Sequence, residues 1–530
     1  MTRAAKKKRS RLRRLARAVL GVLALIALLA APPLAMERLR KMPPGTDVRS
    51  PPCPLSPGHT RLLVDSTAYD TNRNERVFQH EIFDAGLKMI REARQFIYID
   101  FFLWNDWQGA VAERHRALAS ELAAALIRKK KEAPGITILV LTDPINESYG
   151  GEPPAALRDV AAAGIPVVFT DLARLRDSNP IYSGPATFYG GLLARLGPVA
   201  RWLDQPRFNN PLRRNTDPIP ARQMARMFHF KANHRKVIVA DGPDGEWRVL
   251  ATSFNPADGS SAHSNIGLLI DGGLAAEALR TELDCVEWSA ACPGHVLGAD
   301  TNAIRDTLAV LRVRLSGRTA AKTPDNTGPA ATWLSEDSIR RQILSMLDEA
   351  GPGDDVRIAL FYLSDFEVVR SICDAAQAGA TVRVILDPNR DAFGRIKNGV
   401  PNRPVAAELV AFAQSRQVAL SVRWADTHGE QFHTKAMSIA HAADGKYQFL
   451  CGSANWTRRN LQNLNLEACV FVERDPGIVT AFNDFFDRAW SNSDGLSRTV
   501  PYGTFAETGW ALRWKRFLYR IQEPTGLSTF

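Results

Sequence analysis

ITILVLTDP at Ile136–Pro144 and TVRVILDP at Thr381–Pro388 are two versions of one segment, a short apolar run ending in Asp-Pro. Each is rich in β-branched residues and too short for a helix, so both read as buried strands. Their neighbours repeat too. Upstream lie FIYIDFFLW (Phe96–Trp104) and VRIALFYLS (Val356–Ser364), preceded by helical patterns at Val77–Arg94 and Ser338–Ala350. An Ala-rich helix separates each from its Asp-Pro strand. Downstream, AALRDVAAAGIPVVF (Ala155–Phe169) and AAELVAFAQSRQVALSV (Ala406–Val422) again give helix and then strand.

Strands alternating with helices predict α/β units whose largely parallel sheet is buried on both faces. Two copies in one chain predict a duplicated, bilobal molecule. Arg314–Thr332 is rich in Gly, Pro, Ser and Thr and is the natural linker, so the boundary falls near residue 320. The halves differ mainly by an insertion at Arg174–Met227, which carries TFYGGLLARLGPVARWL (Thr187–Leu203). It reads either as a device shaping substrate entry or as a docked surface subdomain.

The chain has 530 residues, 45% hydrophobic and 23% charged, which excludes disorder over most of its length. A formal charge of +11 suggests a polyanionic partner, but nine bases and no acid fall within residues 1–17. The other 513 residues carry +2. After the basic run, Ala18–Met36 is uncharged and long enough to span a bilayer. Pro32 and Pro33 shorten its confident helix, leaving an uncleaved anchor, a cleaved signal and a buried helix as readings. The excess of bases before the stretch puts the N-terminus in the cytoplasm and the body outside it. Among six cysteines, Cys285 and Cys292 are close enough in sequence for a local disulfide, with free core thiols the alternative.

Each half ends in the same polar set. NHRKVIVADG (Asn233–Gly242) carries His234, Lys236 and Asp241, followed by Ser253 and Asn255. FHTKAMSIA (Phe432–Ala440) carries His433 and Lys435, followed by Ser453 and Asn455. His to Lys and Ser to Asn are two residues apart in both halves, and positions i and i+2 of a strand face one side. This set suits a phosphodiester. One imidazole attacks phosphorus, ammonium, hydroxyl and amide groups hold the non-bridging oxygens, and a second imidazole protonates the leaving alcohol. Neither half is complete alone.

The paired HxK motifs with their downstream Ser-x-Asn resemble the phospholipase D superfamily, and NHRKVIVADG with SSAHSNIGLLI is most similar to its bacterial cardiolipin-synthase-like branch. The resemblance covers roughly Phe96–Trp490, with FNDFFDRAW (Phe482–Trp490) as a closing helix. It implies two pseudo-symmetric α/β/α sandwich lobes sharing one active site at their interface, a covalent phosphohistidine intermediate, and no cofactor or essential metal. The expected divisions are a basic flank (1–17), a membrane or signal segment (18–36), a first lobe (60–315), a linker (316–332), a second lobe (333–495) and an amphipathic tail (496–530).

The sequence departs from the family pattern in two places. Asp241 of the first motif is matched by Ala440 in the second, so Asp241 is expected to be structural. Asn465 and Glu467 follow the second motif, whereas the first half has Asn265 where an acid is usual. A Glu467 carboxylate beside His433 would raise that imidazole's pKa, which assigns His234 as nucleophile and His433 as general acid. Further histidines, His229, His428, His263 and His441, form no recognised metal motif and read as surface or supporting groups.

The expected substrate is a phospholipid, with an alcohol or water as acceptor and a membrane as partner, at a bacterial inner membrane with the body on the periplasmic side. WALRWKRFLYRI (Trp510–Ile521) places Trp510, Trp514, Phe517, Leu518 and Ile521 on one helical face, suited either to a lipid interface or to packing on the body. An exported nuclease is the alternative, disfavoured by a body carrying only +2 despite patches such as Arg213-Arg214. An inactive binding protein is the third reading, opposed by the intact polar set. Acceptor choice, hydrolase against synthase, stays open.

Overall fold

The computed structural model describes the chain apart from residues 1–16, 18–19, 23, 26, 34, 38, 109–114, 180–181, 194, 213–217, 293, 319–327, 393–394 and 528–530. The Arg213-Arg214 patch and most of the basic flank therefore lie outside the described residues. An N-terminal helix, α1 (Leu20–Glu37), has a mean hydropathy of 2.0 and is long and apolar enough to cross a membrane.

In chain order the first half then runs β1 (Cys53–Pro54), β2 (Thr60–Asp70), β3 (Glu75–Gln79), α2 (Ile82–Glu92), β4 (Phe96–Phe101), α3 (Leu118–Glu132), β5 (Thr137–Thr142), α4 (Ala155–Ala162) and β6 (Val167–Phe169). The insertion supplies α5 (Ser183–Leu193), α6 (Gly197–Leu203), β7 (Pro206–Phe208), β8 (Ile219–Pro220) and α7 (Ala221–Met227). The half closes with β9 (Lys236–Asp241), β10 (Trp247–Thr252), β11 (Asn265–Asp271), α8 (Leu274–Ala290), β12 (Val296–Leu297) and α9 (Thr301–Ser316). The second half comprises β13 (Ala330–Ser335), α10 (Asp337–Glu349), β14 (Asp355–Leu360), α11 (Phe366–Gln377), β15 (Thr381–Leu386), β16 (Asp391–Ala392), β17 (Arg395–Ile396), α12 (Asn402–Arg416) and β18 (Leu420–Ala425). It ends with β19 (Lys435–Ala440), β20 (Tyr447–Gly452), α13 (Arg458–Leu461), β21 (Ala468–Glu473), α14 (Pro476–Ser491), β22 (Thr499–Pro501) and α15 (Gly509–Thr525).

The duplication is visible in strand order. One nine-stranded sheet runs β12-β6-β5-β4-β9-β10-β11-β2-β3 and the other β1-β13-β21-β20-β19-β14-β15-β18-β22. Laid on each other, β6-β5-β4-β9-β10-β11-β2 matches β18-β15-β14-β19-β20-β21-β13. The sheets are mixed, which corrects the largely parallel sheet expected from sequence. Only β4-β5-β6 and β14-β15-β18 run parallel, because helical crossovers join them. The strands that carry the motifs return through hairpins and pair antiparallel.

Three apolar layers hold the lobes. Ile99, Ile138 and Ile238 pack under α2 and α3 on the outside of the first sheet. Ile358, Val384 and Met437 pack under α10 and α11 on the outside of the second. Between the sheets, α8 and α14 share one core that joins Tyr98, Val239 and Trp247 to Trp333, Phe449 and Phe482. Burying each such side chain is worth about 1.5–3 kcal/mol, so separating the lobes would expose much of the molecule's stabilising surface.

Two segments outside the expected lobe bounds complete the second sheet. β1, ahead of the first lobe in sequence, pairs with β13 of the second sheet. β22 falls in the stretch read as a tail, and it pairs with β18 at the far edge of the same sheet. All six cysteines are free; Cys285 is buried beside Arg235, and Cys292 is partly exposed.

Candidate active site

The two HxK motifs enter their strands from opposite sides of one lobe interface. His234 and His433 lie two residues before the first residue of β9 and β19, and a parallel bridge crosses the interface at each entrance. Asn233 is bridged to Leu466, and Ser264 to Phe432. The His234 N–H donates to Leu466 O at 2.8 Å, and the His433 N–H donates to Ser264 O at 2.8 Å. Each motif is therefore registered against the other lobe's β11 or β21, the strand that carries Asn265 or follows Glu467.

That register overturns one expectation. Glu467 does not lie beside His433 of its own lobe; its carboxylate accepts from His234 Nδ1 at 2.8 Å. His433 Nδ1 instead faces Asn265 Oδ1 at 3.2 Å, again from the other lobe. The residue following each bridge points at the imidazole it has just met, so support crosses the interface. The expected rise in the His433 pKa is corrected with it. Burial, then the nearby charges of Lys435, His263 and Lys236, push His433 well below the usual histidine range. Burial also lowers His234, to about 4, although Glu467 opposes that shift.

The hydroxyls complete the pattern. Ser253 Oγ donates to Asn265 Oδ1 at 3.3 Å, and Ser453 Oγ donates to Glu467, which also accepts from Asn460. Both serines thus orient the groups that hold the imidazoles. Asn255 Oδ1 accepts from the Leu103 N–H at 3.2 Å, and Asn465 Oδ1 from the Ala232 N–H at 3.0 Å. Asn455 Oδ1 is buried with no hydrogen-bond partner among the described residues.

The lysines are matched as well. Lys236 Nζ donates to His234 O at 2.6 Å and Lys435 Nζ to His433 O at 2.8 Å. They lie 5.1 Å and 5.2 Å from the ring centroids of Phe102 and Phe361, which also pack against the two imidazoles. Burial pulls Lys236 down to about 7 and Lys435 well below its ordinary value. An arriving phosphodiester anion would reverse that shift and draw protons onto both amines.

His234, His433, Asn255, Asn455 and Asn465 line one cavity of about 630 Å³. Its walls are largely apolar: Phe102, Leu103 and Trp107 from the first lobe, Phe361, Tyr362 and Ile396 from the second, Leu212 and Met227 from the insertion, and Phe230 just after it. Lys231, Lys397 and Arg459 add positive charge around it.

Asp241 is remote from this chemistry. At the far end of β9 its carboxylate accepts the N–H groups of Arg94, Gln95 and Phe96 at 2.9–3.2 Å. In the second lobe Asp354 does comparable work, accepting from the Gly351 and Ala442 N–H groups and from His441. Of the other histidines, His263 lines the cavity with its pKa lowered to about 3 by burial, and His229 is lowered to about 4. His428 stacks on Tyr69. Asp171, Cys292 and His295 offer ligand atoms within 4.8 Å of one another, and none of the three lines the cavity.

Sequence reading passed over the aspartates of the two Asp-Pro segments. Asp143 Oδ2 accepts the Asn233 N–H at 2.6 Å and Asp387 Oδ2 the Phe432 N–H at 2.8 Å, so each holds the residue before an HxK histidine. Burial raises both carboxyls to about 7. Their recurrence at matching places in the repeat was the available signal. Arg235 was also passed over: it is wholly buried and donates to Glu336 Oε1 at 2.8 Å, which in turn accepts the Glu467 N–H at 2.9 Å.

Residues 343–490 match the sequence family described as "Cardiolipin synthase, PLD-like domain". No curated protein sequence matches the chain. The crystal structure of phosphatidylserine synthase from Haemophilus influenzae Rd KW20 is similar with a TM-score of 0.55 at 13% identity, over 91% of this chain and 97% of that one. A polyphosphate kinase from Porphyromonas gingivalis aligns at 0.39 and 13% identity, over 88% and 53% of the two chains. The phospholipase D family member Nuc from Salmonella typhimurium aligns at 0.25 and 19% identity, over 31% and 95%. The family match falls within the second lobe, and the two-lobed fold is similar to that of the synthase.

Proposed function

We propose that this chain, a two-lobed protein with a cardiolipin-synthase-type phospholipase D-like domain, is a membrane-associated phosphodiesterase or phosphatidyltransferase acting on phospholipids. The observation that carries the reading is the pair of HxK imidazoles facing one cavity, each held through Nδ1 by the opposite lobe.

With its Nδ1–H directed at Glu467, His234 keeps the Nε2 lone pair for attack on phosphorus. A P–N bond forms as the P–O bond to the leaving alcohol breaks. The Glu467 carboxylate offsets the positive charge that develops on the phosphorylated ring. His433, protonated as the anionic substrate enters, gives its proton to the departing oxygen. It then takes a proton from the acceptor hydroxyl, whose attack releases His234. Lys236 and Lys435 neutralise the non-bridging oxygens, joined by the amides of Asn255 and Asn455. The nucleophile assignment made from sequence is kept on a different ground: the carboxylate fixes the tautomer and compensates the charge of the attacking ring.

The apolar walls favour an amphiphilic substrate, whose acyl chains they accommodate beside the polar floor. The apolar helix α1 supports membrane association, with the body outside the cytoplasm as the distribution of bases directs. The test is turnover of labelled phosphatidylglycerol by the purified chain, with and without added alcohol. Turnover is expected, and is expected to be lost in His234→Ala and His433→Ala. Cleavage of single-stranded DNA without lipid turnover would overturn the reading. For topology, a reporter active only outside the cytoplasm is fused after residue 60; an inactive fusion overturns the orientation.

A further inference from the structure

The helix α15 is mounted the wrong way round for a soluble surface helix. Trp510, Trp514, Phe517 and Ile521 fall at spacings of four, three and four, a single stripe along the helix. They are 76%, 46%, 52% and 40% exposed. The Trp514 ring lies 6.5 Å from that of Trp510 and 5.5 Å from that of Phe517, so the aromatics form one continuous surface.

The helix is attached to the body through Tyr519, which packs in the second apolar core against Phe366, and through buried polar contacts. Tyr519 is fully buried and its hydroxyl donates to Ser364 O at 2.8 Å. Glu523 accepts from Ser364 Oγ and from the Arg458 N–H, both at 2.7 Å. A contiguous aromatic stripe turned outward while buried polar groups face inward needs an apolar occupant.

We propose that α15 is an interfacial helix, lying with its aromatic stripe in the surface of the bilayer that α1 enters. Two observations choose lipid as the occupant. From Gly509 to Gln522 there are four bases; Lys515 pairs with Glu507, and Arg516 and Arg520 lie within 4 Å of Glu408, so the exposed Arg513 is the base presented to an anionic headgroup layer. Contacts also join this helix to α1. Gly526, just past α15, accepts from Arg459 at 2.8 Å, and a Cβ at Gly526 would lie 2.4 Å from Ser178 O. The next residue back, Asp177, donates its N–H to Glu37 Oε2 at 2.8 Å, at the end of α1. Asp177 is ion-paired with Lys231 at 2.8 Å. Arg459 and Lys231 both line the cavity, so the ends of the two helices are tied, through Ser178 and Asp177, to residues of its lining.

The proposal deepens the membrane part of the function above, and its test is read without turnover, so the two fail separately. The full chain carrying Trp514→Cys or Phe517→Cys is labelled with a polarity-sensitive fluorophore and reconstituted into phosphatidylethanolamine–phosphatidylglycerol vesicles. The unsubstituted chain serves as the background for native cysteines. Blue-shifted emission and quenching by lipids brominated on their acyl chains are expected at both positions. Water-like emission with no quenching would overturn the proposal. So would an apolar environment without lipid quenching accompanied by cross-links between copies, since the stripe would then be covered by a second chain.

Discussion

Glu467 holds His234 and Asn265 holds His433, so the two imidazoles sit in unlike environments. Replacing Glu467 with Gln leaves a hydrogen-bonding group of the same shape but removes the compensating charge. The expected result is a fall in kcat of about 10²–10⁴-fold with KM little changed, measured by steady-state lipid turnover. The pH profile has a definite sign. His234, at about 4, stays neutral and nucleophilic far below the ordinary histidine value, so the acid limb of kcat/KM should fall near pH 4 rather than 6.5. His433 is also depressed, which brings the alkaline limb down because a general acid must carry its proton. Asn265→Asp places a carboxylate beside His433 and favours its protonated form. The alkaline limb should then move up by about 1–2 pH units; an unmoved limb would remove His433 from the acid role.

At the scale of elements, each HxK histidine depends on the strand entrance that carries it. Asp241 satisfies three backbone N–H groups at the foot of β4, remote from the cavity. Asp241→Ala should cost about 1–3 kcal/mol in urea unfolding, by stranding the buried Phe96 N–H and loosening its two neighbours, while activity per folded molecule is kept. Asp387 and Asp143 make the opposite prediction. Each accepts one N–H just before a histidine, so Asp387→Ala should release the His433 loop and lower kcat more than it lowers stability. The repeated Asp-Pro pairs were plain in the sequence as strand ends. Their use was not, because a carboxylate's partner two strands away leaves no mark on local spacing.

At the scale of the molecule, the lobes are joined by a buried polar network as well as by apolar packing. Arg235 lies between Glu282 of the first lobe and Glu336 of the second, and all three side chains are fully buried. Arg235→Met leaves two buried carboxylates unpaired and should destabilise the fold by about 3–5 kcal/mol, measured by denaturation of the detergent-solubilised chain.

The sequence by itself determined the duplication, the α/β class and the identity of the paired His, Lys, Ser and Asn residues, because these follow from periodicity and offsets along the chain. It also marked α1 and the aromatic stripe of α15, since composition and helical spacing are local properties. The tertiary structure alone decided which support faces which imidazole, and it gave Glu467 to His234. Bridges between Asn233 and Leu466 and between Ser264 and Phe432 set that pairing. They join residues more than 160 positions apart, and no pattern within one lobe specifies contacts that form only when two lobes pack together.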